Sequence, residues 1–230
     1  MSLKQSLKQS LKPYYNLDEI IEIGVDEVGR GPMFGRVYAG AVILPKDNSF
    51  KHELMKDSKK FTSRKKLEET AKYIKENCLY YSIGYEDETI IDNYNIKNAT
   101  YMAMHKAIKQ LIEINTKKEY LILVDGNDFK PYTYMDPINE IINEVPVVCI
   151  IGGDNIQSSI AAASILAKVE RDNYIYDLCK EYPKLDEYYD LSKNKGYGTA
   201  KQMAGIRQYG ITQWHRKSFG LCKDAKVITV

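Results

Sequence analysis

The sequence predicts an α/β fold, one sheet flanked by helices with a helical C-terminal portion, and three observations carry that prediction. Apolar runs of strand length alternate with amphipathic stretches of helical length as far as Pro183. Three of the apolar runs stop in acid, at Asp26-Glu27, at Asp125 and at Asp154. The last fifty or so residues read as helices and glycine-bearing loops. Strands mixed with helices and then a mainly helical end fit one layered α/β unit.

The opening run, Ile20 to Val25, is apolar but for Glu22 and meets Asp26-Glu27 and then Gly29-Arg30-Gly31-Pro32. An apolar run bounded by glycine and proline reads as a buried strand. Val37 to Leu44 is a second strand, stopped by Pro45 and paired with the first across the GRGPMFG turn. The chain then turns basic, DSKKFTSRKK, and enters a helix with Leu67, Ala71 and Ile74 inward, capped by Thr62 or Ser63. Leu79 to Tyr85 is a third strand. Ile96 to Ile114 is a long amphipathic helix with Ala99, Met102, Ala103, Ala107, Ile108 and Leu111 inward. His105 on that helix reads as structural. LILV is a buried strand ending at Asp125-Gly126-Asn127. PINEIINEV is a possible short helix, and PVVCII a further strand ending in Gly152-Gly153-Asp154. A helix rich in small residues runs from Ser158 to Pro183. Before all of this, residues 2–12 repeat SLKQ with Leu3, Leu7 and Leu11 on one face beside Lys4, Lys8 and Lys12. A helix this short is marginal in water, so residues 1–13 are read as a basic low-complexity tail outside the domain.

Composition narrows the class. A chain of 230 residues suits one large domain, or a domain and a small extension, and buries a core without disulfide or metal staples. Its 33 basic and 31 acidic residues leave a net charge of +2, so only clustering of basic residues bears on nucleic-acid binding. Cys78, Cys149, Cys179 and Cys222 form no CxxC pair, which predicts reduced thiols in a cytoplasmic protein. No run approaches the ~18 apolar residues of a membrane helix, so no membrane partner is expected.

Carboxylates at the ends of strands that share a sheet can converge on one point. Asp26, Glu27, Asp125 and Asp154 are hard oxygen donors with no histidine or cysteine beside them, which favours Mn²⁺ or Mg²⁺ over zinc. Two such ions about 3.5–4 Å apart on shared carboxylates are the arrangement used for in-line phosphodiester cleavage. Other motifs fail on count. GRGPMFG is one residue too long for a GxGxxG fingerprint, and no GxxxxGK[ST], GxSxG or HExxH occurs. DGNDFK starts like a calcium loop but has Phe129 and Lys130 where Asp or Asn and Gly are needed.

GVDEVGRGPMFG, KDSKK, DGN, GD, SIAAASILAKVERD, KGYGT and HRKSF, in this order between Gly24 and Phe219, closely resemble the ribonuclease HII family. The resemblance implies a ribonuclease H-like mixed sheet flanked by helices, with residues 14–183 as catalytic domain and 184–230 as a C-terminal extension. It carries the catalytic, metal-holding role to Asp26, Glu27, Asp125 and Asp154. It makes the backbone of Gly29, Arg30 and Gly31 the reader of the ribose 2′-OH, which separates RNA from DNA. It makes Tyr197 the residue that packs on the sugar at the scissile junction, and Lys59, Lys60, Lys168 and Arg171 candidates for phosphate contact. His215-Arg216 also matches, and is read as holding the C-terminal segment or touching phosphate. Two positions depart from the family pattern. Gly152 stands where a lysine precedes Gly-Asp, and Asn194 where a histidine precedes KGYGT. The related ribonuclease HIII family carries a lysine-containing loop in place of GRG, so Arg30 favours HII.

The implied activity is endonucleolytic cutting of the RNA strand of RNA–DNA hybrids and at single ribonucleotides in duplex DNA. Products would be 3′-hydroxyl and 5′-phosphate ends, made by a monomer with two Mn²⁺ or Mg²⁺ ions. A hybrid-binding module without chemistry is opposed by the presence of all four carboxylates. An exonuclease or junction resolvase is opposed by the GRG and KGYGT elements.

Overall fold

A computed structural model describes residues 10–16, 19–114, 119–135 and 140–230. Its centre is a five-stranded mixed sheet of β1 (Ile21–Val28), β2 (Val37–Ile43), β3 (Tyr80–Glu86), β4 (Tyr120–Asp125) and β7 (Val147–Ile150). The strands lie in the order β3-β2-β1-β4-β7. As the GRGPMFG turn predicts, β1 and β2 are antiparallel, with Val25 opposite Ala41. β4 joins β1 in parallel, Val25 beside Val124, and β7 joins β4 in parallel, Val124 beside Cys149.

Side-chain alternation divides the core in two. Ile23 and Val25 of β1 and Val37, Ala39 and Ala41 of β2 pack beneath α2 (Glu88–Ile114). The other face is covered by α1 (Arg64–Asn77) and α3 (Ser158–Glu181), through Leu67, Ala71 and Ile74 and through Ala161 to Leu166. Ser63 is the cap of α1, accepting from the Lys66 amide at 3.3 Å, a contact worth about 1 kcal/mol. A third apolar cluster joins Phe34 to Tyr189, Leu191, Ile206 and Ile211. It fixes the C-terminal helices α4 (Lys184–Tyr189), α5 (Leu191–Asn194) and α6 (Ala200–Tyr209) against the turn after β1.

Several expectations need correction. Asp26 and Glu27 lie inside β1, which runs on to Val28. The α2 stretch starts at Glu88 and is two capped helices. Asn95 breaks it with φ 64°, and its Oδ1 accepts from the Asn98 amide at 3.1 Å, while Asp87 caps the first half through the Ile90 amide. Met102 is exposed, because the buried row Ala99, Ala103, Ala107 and Leu111 runs at i, i+4 and leaves it on the flank. The PINEIINEV helix is not there in the described part. Ile142–Glu144 is a strand, β6, paired with β5 (Thr133–Met135) in a separate two-stranded sheet, and residues 136–139 lie outside the described residues. Of the N-terminal repeat, residues 2–9 lie outside the described residues. Its end is joined to the domain. The Lys12 amide donates to the Ile156 carbonyl, the Ser158 amide donates to Lys12, and Leu11 packs on the α1–α3 core. Among the described residues no helix is long and apolar enough to cross a membrane.

Candidate active site

Neighbouring residues of a strand leave it on opposite faces, so Asp26 and Glu27 approach the strand end from its two sides. Asp26 faces the α3 side, as Gly24 does, and bonds Ser164. Glu27 faces the α2 side, sharing a recess with Tyr101 and Met104. Register supplies the third acid. One step past the Val25–Val124 pair, Asp26 and Asp125 stand on adjacent parallel strands. Asp154 follows β7 in a tight 3-10 turn, Gly153–Asn155, entered by Gly152 at φ 66°. The Gly153 amide donates to Asp125 Oδ1 at 2.6 Å, which locks this turn to the end of β4.

The acids disturb one another. Burial, and then the charge of Glu27, pushes Asp26 well above the usual carboxylate range, with Asp125 adding to it. Glu27 is raised by burial and partly relieved by Arg30, whose guanidinium lies 3.2 Å away. Asp154 is raised by burial, then by Asp57 and Asp125. Burial works against the Lys59 ammonium, yet Asp57, Asp154, Asp26 and Tyr197 outweigh it and hold its pKa above the usual value.

A cleft of about 470 Å³ brings together Asp26, Glu27 and Asp125, the Gly29-Arg30-Gly31 backbone, Lys59, Lys168 and Tyr197. Asp154 is outside its lining and is tied to it through Asp125. Lys168 is ion-paired to Asp172 at 2.7 Å. Lys60 lies beside the cleft, bonded to Asn155. Arg171 is corrected as a phosphate contact. It is fully buried and donates to the Phe34 and Arg36 carbonyls, both at 3.1 Å, so it braces the loop from below.

Tyr197 stands at the far wall, 43% exposed, with its ring edge against the space beside Gly31. Its loop is tied to the GRGPMFG turn, since the Met33 amide donates to the Gly196 carbonyl at 2.9 Å. Gly196, at φ 84°, is pressed against Phe34 where a Cβ would sit at 2.9 Å. Asn194 does local work here. Its side-chain amide donates to the Tyr189 carbonyl and to Thr199 Oγ1, and its Oδ1 accepts from the Gly196 amide. His215 and Arg216 are both fully buried, so neither touches phosphate directly. Burial pushes the His215 imidazole down to about 3, and Nδ1 accepts from the Thr212 amide at 3.0 Å. Ser58, Ser164 and Asp57 escaped the sequence reading. Ser58 and Ser164 line the cleft and bond each other at 3.1 Å. A serine in a basic run, as Ser58 is, or in an alanine-rich one, as Ser164 is, carries no signal of facing an acid.

The donors suit a hard divalent cation: all four are carboxylates, and burial, with repulsion from neighbouring acids added to it, raises three of them, an imbalance that a cation relieves. Among the described residues no three acid, histidine or cysteine side chains are already gathered closely enough to hold an ion.

The sequence model of the family described as Ribonuclease HII matches residues 23–222. A ribonuclease HII of Bacteroides thetaiotaomicron is 42% identical over 217 residues, covering 94% of this chain and 98% of the relative. One of Cytophaga hutchinsonii is 43% identical over 199 residues, 86% of this chain and 89% of the relative. Among solved structures, the PCNA:RNase HII complex from Archaeoglobus fulgidus matches with a TM-score of 0.63 at 22% identity, over 87% of this chain and 96% of that one. The Bst RNase HIII in complex with Mn²⁺ matches with a TM-score of 0.61 at 19% identity, over 90% of this chain and 69% of that one. These last two likenesses bear on the fold alone.

Proposed function

We propose that this chain, a ribonuclease H that belongs to the ribonuclease HII family, cuts both the RNA strand of RNA–DNA hybrids and single ribonucleotides embedded in duplex DNA. The observation that supports this most is one cleft holding Asp26, Glu27 and Asp125 against the Gly29-Arg30-Gly31 backbone and Tyr197. Acids for phosphodiester chemistry and groups able to sense a 2′-OH sit within one substrate's reach.

Asp26, Glu27, Asp125 and Asp154 would hold two Mn²⁺ or Mg²⁺ ions, which when bound supply an activated water and charge neutralisation at the leaving 3′ oxygen. Residues of the chain do the rest. The Gly29-Arg30-Gly31 backbone approaches the sugar closely because glycine has no side chain to obstruct it. Tyr197 offers its ring to the ribose face. Lys59, placed among acids, offers an ammonium to the backbone phosphate, with Lys168 and Lys60 flanking it. Gly153 orients Asp125 by donating to one of its oxygens. The four free cysteines fit a reducing cytoplasm, and a monomer presents the cleft without help from a second copy.

Replacing Asp125 with Asn keeps its shape and removes its charge. Cleavage of a hybrid is expected to fall at least ~100-fold, about 2.7 kcal/mol of barrier, while hybrid affinity is kept or improved. Cleavage at the wild-type rate would remove Asp125 from the catalytic set.

A further inference from the structure

Arg216 is fully buried, yet the groups that its guanidinium bonds are backbone carbonyls. Nη2 donates to Gly29 at 2.6 Å, Nη1 to Arg30 at 2.9 Å and Nε to Gly35 at 2.8 Å. One planar group therefore ties both ends of the turn that follows β1. The Arg216 amide donates to the Met33 carbonyl at 2.9 Å, and the next two amides donate to the Asp92 carboxylate, so the clamp is itself anchored. Arg171 closes the underside, its Nε 2.3 Å from where a Cβ on Gly29 would stand.

The direction of those carbonyls decides the direction of two amides. No described peptide bond is cis, and across a trans peptide the C=O of one residue and the N–H of the next point opposite ways. The Gly29 and Arg30 carbonyls turn inward to Arg216. The amides of Arg30 and Gly31 must then turn outward, toward the cleft that these residues line with Asp26 and Tyr197. Among the described hydrogen bonds neither amide donates to a backbone carbonyl. Two adjacent unspent donors facing a cleft make a site for one acceptor oxygen.

We propose that Arg216 is a specificity-determining positioning residue: by holding the Gly29–Arg30 and Arg30–Gly31 peptides in this orientation it aims two N–H groups at the 2′ oxygen of a ribonucleotide. The inference rests on the reading of this loop as the ribose sensor and adds what makes the loop competent. Three carbonyls around one head group require three separate nitrogens in a plane, which arginine has and lysine lacks. Arg216 touches no substrate. Its effect on the reaction passes through the peptides it holds.

The test compares wild type, Arg216→Lys and Arg216→Gln for affinity, without divalent ions, toward a duplex bearing one ribonucleotide and toward the all-DNA duplex of the same sequence. Folding of each variant is checked by circular dichroism. In a folded variant the ribonucleotide-to-DNA affinity ratio is expected to fall by about tenfold, with affinity for plain DNA held within about twofold. An unchanged ratio, or equal weakening toward both duplexes, would overturn the proposal. If neither variant folds, the wild-type protein decides it by amide NMR. The Arg30 and Gly31 amides should shift with the ribonucleotide duplex and not with DNA; no shift with either overturns the proposal. A wild-type enzyme that itself fails to distinguish the two duplexes in binding and in cleavage overturns the sensor reading and this inference together. Wild-type discrimination that survives in folded variants overturns the role of Arg216 alone.

Discussion

Gly24→Ala asks whether the packing of α3 on the sheet sets the spacing of the acids. Gly24 sits in mid-β1, opposite Val42 and beside Leu123. A Cβ there would lie 2.3 Å from the carbonyl carbon of Ser159, 2.5 Å from its Cβ and 2.6 Å from the Ile160 nitrogen. Ordinary contact begins at 3.4 Å, so the first turn of α3 must retreat by about 1 Å, the shortfall at the nearest atom. That turn begins at Ser158, four residues after Asp154, and Asp26 lies two residues beyond Gly24 on the same face of β1. Overpacking of this kind costs roughly 1–3 kcal/mol, a Tm drop of about 2–12 °C at ~2–4 °C per kcal/mol for a chain of this size. A catalytic group misplaced by about 1 Å costs on the order of 100-fold in rate. Gly205→Ala is the comparison. Its Cβ would meet the Tyr188 carbonyl oxygen at 2.1 Å, in the packing of α6 on α4, elements that carry none of the four acids. Calorimetry should show similar losses of Tm for the two variants. Single-turnover cleavage of a ribonucleotide-bearing duplex should show a much larger rate loss for Gly24→Ala. Wild-type stability and rate in Gly24→Ala, or equal rate losses in both, would refute the link between this seam and the site.

Two further perturbations probe the Tyr197 wall and the buried C-terminal segment. Tyr197→Phe should lose one hydrogen bond, about 0.5–1.5 kcal/mol, and Tyr197→Ala roughly 1–3 kcal/mol more through lost ring packing. Single-ribonucleotide substrates should suffer more than long hybrids, which offer many registers; equal losses in relative cleavage rate would make Tyr197 an ordinary structural residue. His215 is held neutral down to about 3 in the fold, against an ordinary value of 6.5. Its contribution to stability is complete above the unfolded value and is lost as pH falls from there toward 3. The raised carboxyls of Asp26, Glu27 and Asp154 work in the opposite sense, because they favour the protonated fold. Comparison with His215→Asn separates the two. Between about pH 6.5 and 4.5 denaturant melts should show wild type losing up to ~3 kcal/mol more than the variant, and parallel pH profiles would mean His215 already shares its solvent-like titration in the fold.

What the sequence made legible follows from which interactions are local. Strand β1, the β1–β2 turn, β4 and α3 were readable because apolar runs and glycine or proline breaks are properties of neighbouring residues. Strand β6 was missed because Ile142–Glu144 owes its conformation to pairing with Thr133–Met135, a partner that its own three residues do not announce. The helix over the first half of α2 was missed because its cap, Asp87, and its terminator, Asn95, read as an ordinary polar stretch. Within the site, the acids announced themselves as charges that end apolar runs. That Asp26 and Glu27 face opposite sides of the sheet follows from alternation alone, yet it mattered only once β1 was seen to continue through them. Arg171 was read as a candidate phosphate contact from the family resemblance, and its burial beneath Gly29 is a tertiary fact. The clamp from Arg216 to Gly29 joins positions 187 residues apart, and no local pattern carries it.

The most direct test of the account is cleavage of an end-labelled DNA duplex holding one ribonucleotide, incubated with Mn²⁺, with Mg²⁺ and with excess chelator, with product ends mapped. A single cut at the ribonucleotide, giving 3′-hydroxyl and 5′-phosphate ends with either ion and none in chelator, is the expected result. Cutting that persists in chelator, or an intact duplex under conditions where the same enzyme degrades a long RNA–DNA hybrid, would contradict a site that reads one 2′-hydroxyl beside carboxylate-held metal.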